Sequence, residues 1–324
     1  MKKVQKSFKT FEPDEMDMKL VTELEVDARQ STYALAAKLG TSPSTVFRRM
    51  QKLIDAKVII IAAVTNPPAM GFKTAVLIGI NTRPGKSLQA AKHITSLRSV
   101  GSMGFRYLST CTGPYDLLYF TVFRTPAELL RFVDKELTVV PDLINIQVMP
   151  VLRIVKNSWM HVGSNTSLYE EPSDCHFDQS DIDLIEQLIG SPRESATSLA
   201  RKIGMSKAVA SKRLQALLDR NVVSVLCIAD PTIFGYHISA GIWVKVLPGN
   251  EISMVAETVA SYPKIQQVTI LGGLFDMFLH CKFQDLNDLN DFLVNELGNA
   301  PGIMRLETML EFRLPDNPFS IIFG

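Results

Sequence analysis

LAAKLGTSPSTVFRRMQKLI, residues 35–54, reads as two helices joined by a tight turn, the second loaded with basic residues. Gly40 ends the first, since glycine enters the left-handed conformation of a helix C-terminus at no steric cost. Ser42 caps the second, and Pro43 takes its first position, where a missing N–H leaves no bond unmade. Val46, Met50, Leu53 and Ile54 recur at helical spacing as its buried stripe, which leaves Ser44, Thr45, Arg48, Arg49 and Lys52 outward. Upstream, Ser31 is a further cap and Leu35 and Leu39 face inward. Met16, Leu20, Val21 and Leu24 predict a preceding helix, making a unit of three.

The stretch returns at residues 199–218 as LARKIGMSKAVASKRLQALL, with Gly204 answering Gly40, Ser206 answering Ser42 and Arg213 answering Arg49. Ala210, Leu214, Leu217 and Leu218 repeat the buried stripe, and Ile182, Ile185, Leu188 and Ile189 repeat the preceding helix. A period this long means two copies of a whole module. The outward set is now Lys207, Ser211, Lys212 and Arg213. The chain's formal net charge is only +1, so these clusters are local concentrations of positive charge. A helix presenting hydroxyls and cations on one face fits the major groove of duplex DNA, with flanking cations on phosphates. A merely solvated amphipathic helix accounts for the charges but not for the repeated three-helix setting.

After each unit comes an apolar β-branched run, residues 58–64 and 222–228, closed by Asn66-Pro67 or Asp230-Pro231 and then Gly71 or Gly235. It predicts a strand, either a wing or a bridge to the next domain. The remainder of each copy alternates as βαββαβ. Strands are expected at 74–80, 100–108, 116–122 and 144–151 with helices at 86–97 and 126–136. The second copy follows with strands at 239–246, 265–271, 276–283 and 303–311 and helices at 251–261 and 285–296. Two helices on one face of a four-stranded antiparallel sheet leave the other face for sheet-to-sheet packing, and one chain supplies two such faces, to pair with each other as an internal pseudo-dimer or copy with like copy between chains. Residues 157–176, NSWMHVGSNTSLYEEPSDCH, lose periodicity and read as a linker anchored by Trp159. Asp174, Cys175 and His176 have no partner cluster elsewhere, so no metal site is expected.

The expected fold is therefore α+β: two copies of a winged helix-turn-helix domain, each followed by a ferredoxin-like βαββαβ domain. The boundaries are 11–66 and 67–156, a linker at 157–176, then 177–230 and 231–324. A length of 324 residues with 46% apolar content supports several cores. Four cysteines without a C-x-x-C pair exclude a disulfide framework and a zinc knuckle, and imply free thiols in a reducing cytoplasm. The start, MKKVQKSFKT, is a basic arm with no apolar segment behind it, and no run approaches membrane-span length. No catalytic group, metal or cofactor is expected.

Each half resembles the Lrp/AsnC (feast/famine) family. The likeness rests on element order, on a D-P-x-x-x-G turn present as Asp230-Pro231-Thr232-Ile233-Phe234-Gly235 and varied as Asn66-Pro67-Pro68-Ala69-Met70-Gly71, and on a G-x-Y-D loop. That loop stands as Gly113-Pro114-Tyr115-Asp116 and again as Gly273-Leu274-Phe275-Asp276, where the hydroxyl is lost. The resemblance implies a DNA-binding regulator of transcription that forms homo-oligomers through its sheets. It also implies a small effector such as an amino acid, bound by Gly113, Tyr115 and Asp116 and by Gly273, Phe275 and Asp276. A tight hairpin whose aspartate only caps the turn remains the alternative reading of each loop. The recognition helices are expected to touch DNA through Ser44, Thr45, Arg48, Arg49 and Lys52 and through Lys207, Ser211, Lys212 and Arg213. Ser206-Lys207-Ala208-Val209 departs from the family's usual start, so the two helices need not read the same bases. The sirohaem decarboxylases resemble the same architecture and supply the rival, an enzyme. Against it, the Asn66 and Asp230 turns lack the expected side chains and His93, His161, His237 and His280 are scattered singly.

Overall fold

The computed structural model describes residues 11–97, 106–158, 177–314 and 321–322. The basic arm, Trp159, His161 and the Asp174, Cys175, His176 group lie outside them. The chain begins with α1 (Glu15–Val26), α2 (Thr32–Leu39), α3 (Pro43–Asp55) and β1 (Ile59–Thr65). It continues through β2 (Thr74–Thr82), α4 (Ser87–Ser96), β3 (Arg106–Cys111), β4 (Leu117–Phe123), α5 (Pro126–Phe132) and β5 (Leu143–Asn157). The second copy runs α6 (Gln179–Gly190), α7 (Ala196–Lys202), α8 (Lys207–Asp219), β6 (Val223–Ala229) and β7 (Ile238–Val246). It ends with α9 (Ile252–Ala260), β8 (Ile265–Leu271), β9 (Met277–Phe283), α10 (Leu286–Asp291), β10 (Ile303–Phe312) and a short β11 (Ile321–Ile322).

The local signals act as expected. Ser42 accepts from the Thr45 N–H at the start of α3, Ser206 accepts from Val209 at the start of α8, and Gly40 sits at φ 63°. The strand that follows each unit is not a separate wing. β1 and β6 pair antiparallel with each other, Ala62 opposite Leu226, the same place in each copy. A local pseudo-two-fold axis therefore passes through that ribbon. The strands are also shared between the units: Cys227 and Ala229 of β6 join Ile59 of β1 in the first unit's core with Leu20, Leu24 and Leu53. Two arginines at equivalent positions complete the joint. Arg29 donates to the carbonyls of Pro192 and Glu194 at 2.7 and 3.2 Å, and Arg193 donates to those of Ala28 and Gln30.

The four-stranded sets are ordered β5-β2-β4-β3 and β10-β7-β9-β8 and join edge to edge. β5 pairs with β8, and β10 with β3, which closes a barrel of eight strands rather than leaving two independent ferredoxin-like sheets. Of the two arrangements the sequence left open, the sheet faces take the internal one and meet inside one chain, where Tyr115, Met149, Trp243, Phe275, Phe278 and Met309 share a core. The pairing with β8 also extends β5 to Asn157, past its expected end at 151. Helices cover the outside: α4 and α5 bury Ile94 and Phe132 against Ile78 and Tyr119, and α9 buries Val259 in one cluster with Ile242 and Leu279. Each such fully buried side chain stabilises the fold by roughly 1.5–3 kcal/mol. Cys111, Cys227 and Cys281 are buried free thiols. Among the described residues no helix is long and apolar enough to cross a membrane.

Candidate nucleic-acid interface and sensing elements

On α3, Ser44, Arg48 and Lys52 are exposed, as are Lys207 and Lys212 on α8, while Thr45 and Ser211 are half-buried. The Ser44 and Thr45 hydroxyls each lie 2.9 Å from the capping Ser42 hydroxyl, which orients them at the helix start. The Lys52 ammonium sits 4.5 Å over the Phe11 ring. Arg49 and Arg213 depart from the expected outward set. Arg49 Nη1 reaches Asp14 at 2.8 Å and Asp17 at 2.7 Å, and Arg213 reaches Asp178 at 2.7 Å and Asp181 at 2.9 Å. Those carboxylates are the capping boxes of α1 and α6. The aspartates draw both guanidiniums onto the neighbouring helix, so their charge fixes each third helix instead of facing a groove. Sequence reasoning also passed over Phe47, which is 57% exposed beside Arg48 and offers an apolar contact of the kind a thymine methyl takes.

The two G-x-[Tyr/Phe]-D hairpins turn their aromatic rings inward. The Tyr115 ring is buried edge-on to Trp243, centroids 5.5 Å apart, and lies against β2 where a Cβ on Gly79 would come within 2.6 Å of it. Phe275 is buried 5.2 Å from the same Trp243. Gly113, at φ 96°, lets the first hairpin approach β10. The Asp116 carboxylate accepts from the Thr82 N–H at 2.7 Å, and Asp276 accepts from the Val246 N–H and the Lys245 ammonium at 2.8 Å each. The groups expected to meet an effector's ammonium are thus committed to strand ends, and Gly273 belongs to a hairpin closed in the same way.

A third place draws together residues that looked scattered. His237 and His280 line one cavity of about 430 Å³ with Lys282, Glu311 and Tyr107, beside the Asp230 turn. Burial holds the His280 imidazole below its ordinary value, against the opposing pull of Glu311. Among the described residues no group of three metal-ligating side chains occurs.

Two helix-turn-helix units are mounted on one closed barrel, and the family matches of these parts identify the class, a DNA-binding regulator with a ligand-binding part. Residues 14–54 match the AsnC-type helix-turn-helix domain, 177–224 a winged helix-turn-helix DNA-binding domain, and 239–317 the Lrp/AsnC ligand binding domain. An uncharacterized HTH-type transcriptional regulator of Pyrococcus furiosus is 30% identical over 136 residues, which make up 40% of this chain and 84% of that protein. The HTH-type transcriptional regulator FL11 of Pyrococcus horikoshii is 29% identical over 134 residues, 41% of this chain and 87% of its own length. The chain belongs to the Lrp/AsnC family. Among solved structures, the siroheme decarboxylase NirDL aligns over 92% of this chain and 91% of its own with a TM-score of 0.61. At 13% identity that likeness speaks for the fold alone.

Proposed function

We propose that the chain is a transcription regulator acting as a covalent pseudo-dimer. Its reading units, 11–66 and 177–230, present α3 and α8 to two half-sites of an imperfect palindrome, and its sensing units, 67–156 and 231–324, receive a small effector. The observation that carries this reading is the reciprocal joint of β1 with β6 and of Arg29 with Arg193, which relates two reading helices by a pseudo-two-fold axis. Palindromic operators mirror that symmetry. Ser44, Thr45, Arg48 and Lys52 would meet the first half-site, with Phe47 beside them, and Lys207, Ser211 and Lys212 the second. Both barrel seams close within the chain, so assembly of several chains has to use other surfaces.

Fluorescence anisotropy on fragmented genomic DNA tests the reading. Affinity should fall linearly on log-log axes with salt, at about 0.9 per phosphate contact. Lys207→Pro, Ala208→Ser and Val209→Thr together give α8 the start of α3, and should shift preference toward a symmetric site. An unchanged binding profile would count against two reading helices. The siroheme decarboxylase that shares this fold over the whole chain supplies one rival, an enzyme handling a tetrapyrrole. A protein that takes up a coloured tetrapyrrole and ignores DNA at low salt would replace the regulator with that enzyme.

A further inference from the structure

We infer that the cavity beside the Asp230 turn, where β10 meets β3, seats a small carboxylate that also carries a hydrogen-bond donor, and that the first helix-turn-helix unit feels its occupation. The inference rests on the regulator reading and deepens it by naming where the effector binds.

The cavity's volume lies in the range of small-molecule sites. Its polar side chains are unusually deep: His280 is 5% exposed, and Lys282 and Glu311 are each 8% exposed. A buried ammonium is costly unless it is paired. Among the described residues no hydrogen bond or ion pair holds the Lys282 ammonium, and Asp230 is engaged by Arg313 in a bidentate pair at 2.5 and 2.7 Å. Burial, helped by Arg313, pushes Lys282 down to about 8 against the pull of Glu25 and Asp230. It therefore remains a cation at neutral pH, poorly solvated and facing open space. Glu311 supplies the complement. Its Oε2 accepts from the Tyr107 hydroxyl at 2.5 Å and from Ser109 at 3.0 Å, while its buried Oε1 has no hydrogen bond. His280 Nε2 lies 3.0 Å from the Ser239 hydroxyl and 3.7 Å from Oε1. A carboxylate opposite Lys282 and an ammonium or hydroxyl donor opposite Glu311 would satisfy both ends at once. A simple anion satisfies only the first.

The architecture does not itself require these groups. In the first copy the same strand positions carry Ala75 opposite Val122, where the second carries Ser239 opposite Lys282. Leu77 opposite Phe120 likewise answers Gly241 opposite His280, and Val151 answers Glu311. The apolar version packs as ordinary core.

The route to the DNA-binding end is short. Ile228, Ala229, Pro231 and Thr232 line the cavity, while Ala229, Ile233 and Phe234 pack in or against the core of the first three-helix unit. Glu25 of α1 acts electrostatically on Lys282. A ligand at Lys282 changes the balance at α1, and biases α3 to the extent that it prefers one arrangement.

Thermal unfolding of the full chain, with each proteinogenic L-amino acid and its 2-hydroxy acid counterpart as millimolar probes, tests the seat. At least one probe should raise Tm by about 3 °C at saturation. Lys282→Met, whose counterpart in the first copy is already an apolar Val122, should fold and lose that rise. Glu311→Gln should raise the half-saturating concentration by about tenfold. No rise with any probe, or a rise retained in Lys282→Met, overturns the seat. The salt slope of the ligand-free protein on DNA reports separately: a steep slope with no probe effect removes the seat but keeps the regulator, and a probe effect without DNA binding removes the regulator and the coupling.

Discussion

In the first copy, Phe120, Val122 and Val151 pack into continuous core where β2, β4 and β5 come together. In the second, His280, Lys282 and Glu311 hold the same strand positions and leave a cavity. β2 with β4 and β7 with β9 pair in the same register, so the apolar copy serves as the reference for the polar side chains, but the seams beside them differ: β5 follows β8 to Asn157, whereas β10 pairs with β3 only at Glu311 and Phe312. A duplicated fold can give up packing on one side because the other, and the barrel that joins them, still hold it closed.

Moving the cation across the pseudo-axis should have the largest effect. Val122→Lys places an ammonium in the cluster that holds Phe72, Phe120 and Val151, where Val151 and Asn66 stand in place of Glu311 and Asp230, and should lower stability by about 3–5 kcal/mol. The urea midpoint reads it, with the slope unchanged. A loss below about 1 kcal/mol would mean that the first site tolerates charge as well as the second, and the contrast would have no energetic content.

The reverse change should stabilise, and its pH dependence identifies the cause. Lys282 in the folded chain lies at about 8, below its ordinary 10.5. Between those values the unfolded chain binds the proton and the folded chain does not, so wild-type stability rises with pH through that window. The penalty is complete below pH 8 and amounts to about 3 kcal/mol at about 1.4 kcal/mol per pH unit. Lys282→Val should therefore gain roughly 2–3 kcal/mol at pH 7, and the gain should fade as pH approaches 10.5. A gain that grows with pH would assign the effect to something other than the ammonium.

The reading units differ less. Arg49→Ala and Arg213→Ala each remove an arginine from a capping-box carboxylate and should lower the urea midpoint slightly and alike, because both copies keep the same joint. Neither should alter the salt slope on DNA. Arg48→Ala and Lys212→Ala should do the opposite, leaving stability within about 0.5 kcal/mol while lowering the slope by about 0.9 for each phosphate no longer neutralised. An effect of Arg48→Ala without one of Lys212→Ala would leave α8 a structural partner of the reader.

What was legible in the sequence is what local chemistry decides. Ser42, Pro43 and Gly40 cap and stop helices by contacts within a few residues, and the inward stripe of α3 follows from its spacing. Barrel closure was not legible, because the β5–β8 and β10–β3 pairs join strands far apart in the chain and nothing local marks their edges. Spacing also put Arg49 on the outward side, although Asp14 and Asp17, distant in sequence, turn it back. The cavity did leave a trace. β9 reads MFLHCKF where β4 reads LLYFTVF, and setting the two copies in register exposes a histidine and a lysine in an otherwise apolar strand.

The smallest expected effect separates the two sensing sites. Tyr115 carries the hydroxyl that Phe275 lacks, yet both rings pack on Trp243 within the barrel. If that packing is the hairpin's role, Tyr115→Phe should change stability by less than about 0.5 kcal/mol and leave both DNA affinity and the probe-induced rise in Tm as they were. Loss of the rise with stability intact would move the effector from the cavity to the hairpin. The polar set around Lys282 would then be a stability cost borne without a ligand, a cost the first copy avoids with Phe120 and Val122. Retention of the rise leaves the hairpins with the work their hydrogen bonds describe: Asp116 and Asp276 hold the ends of β2 and β7, and the rings between them keep the barrel closed around Trp243.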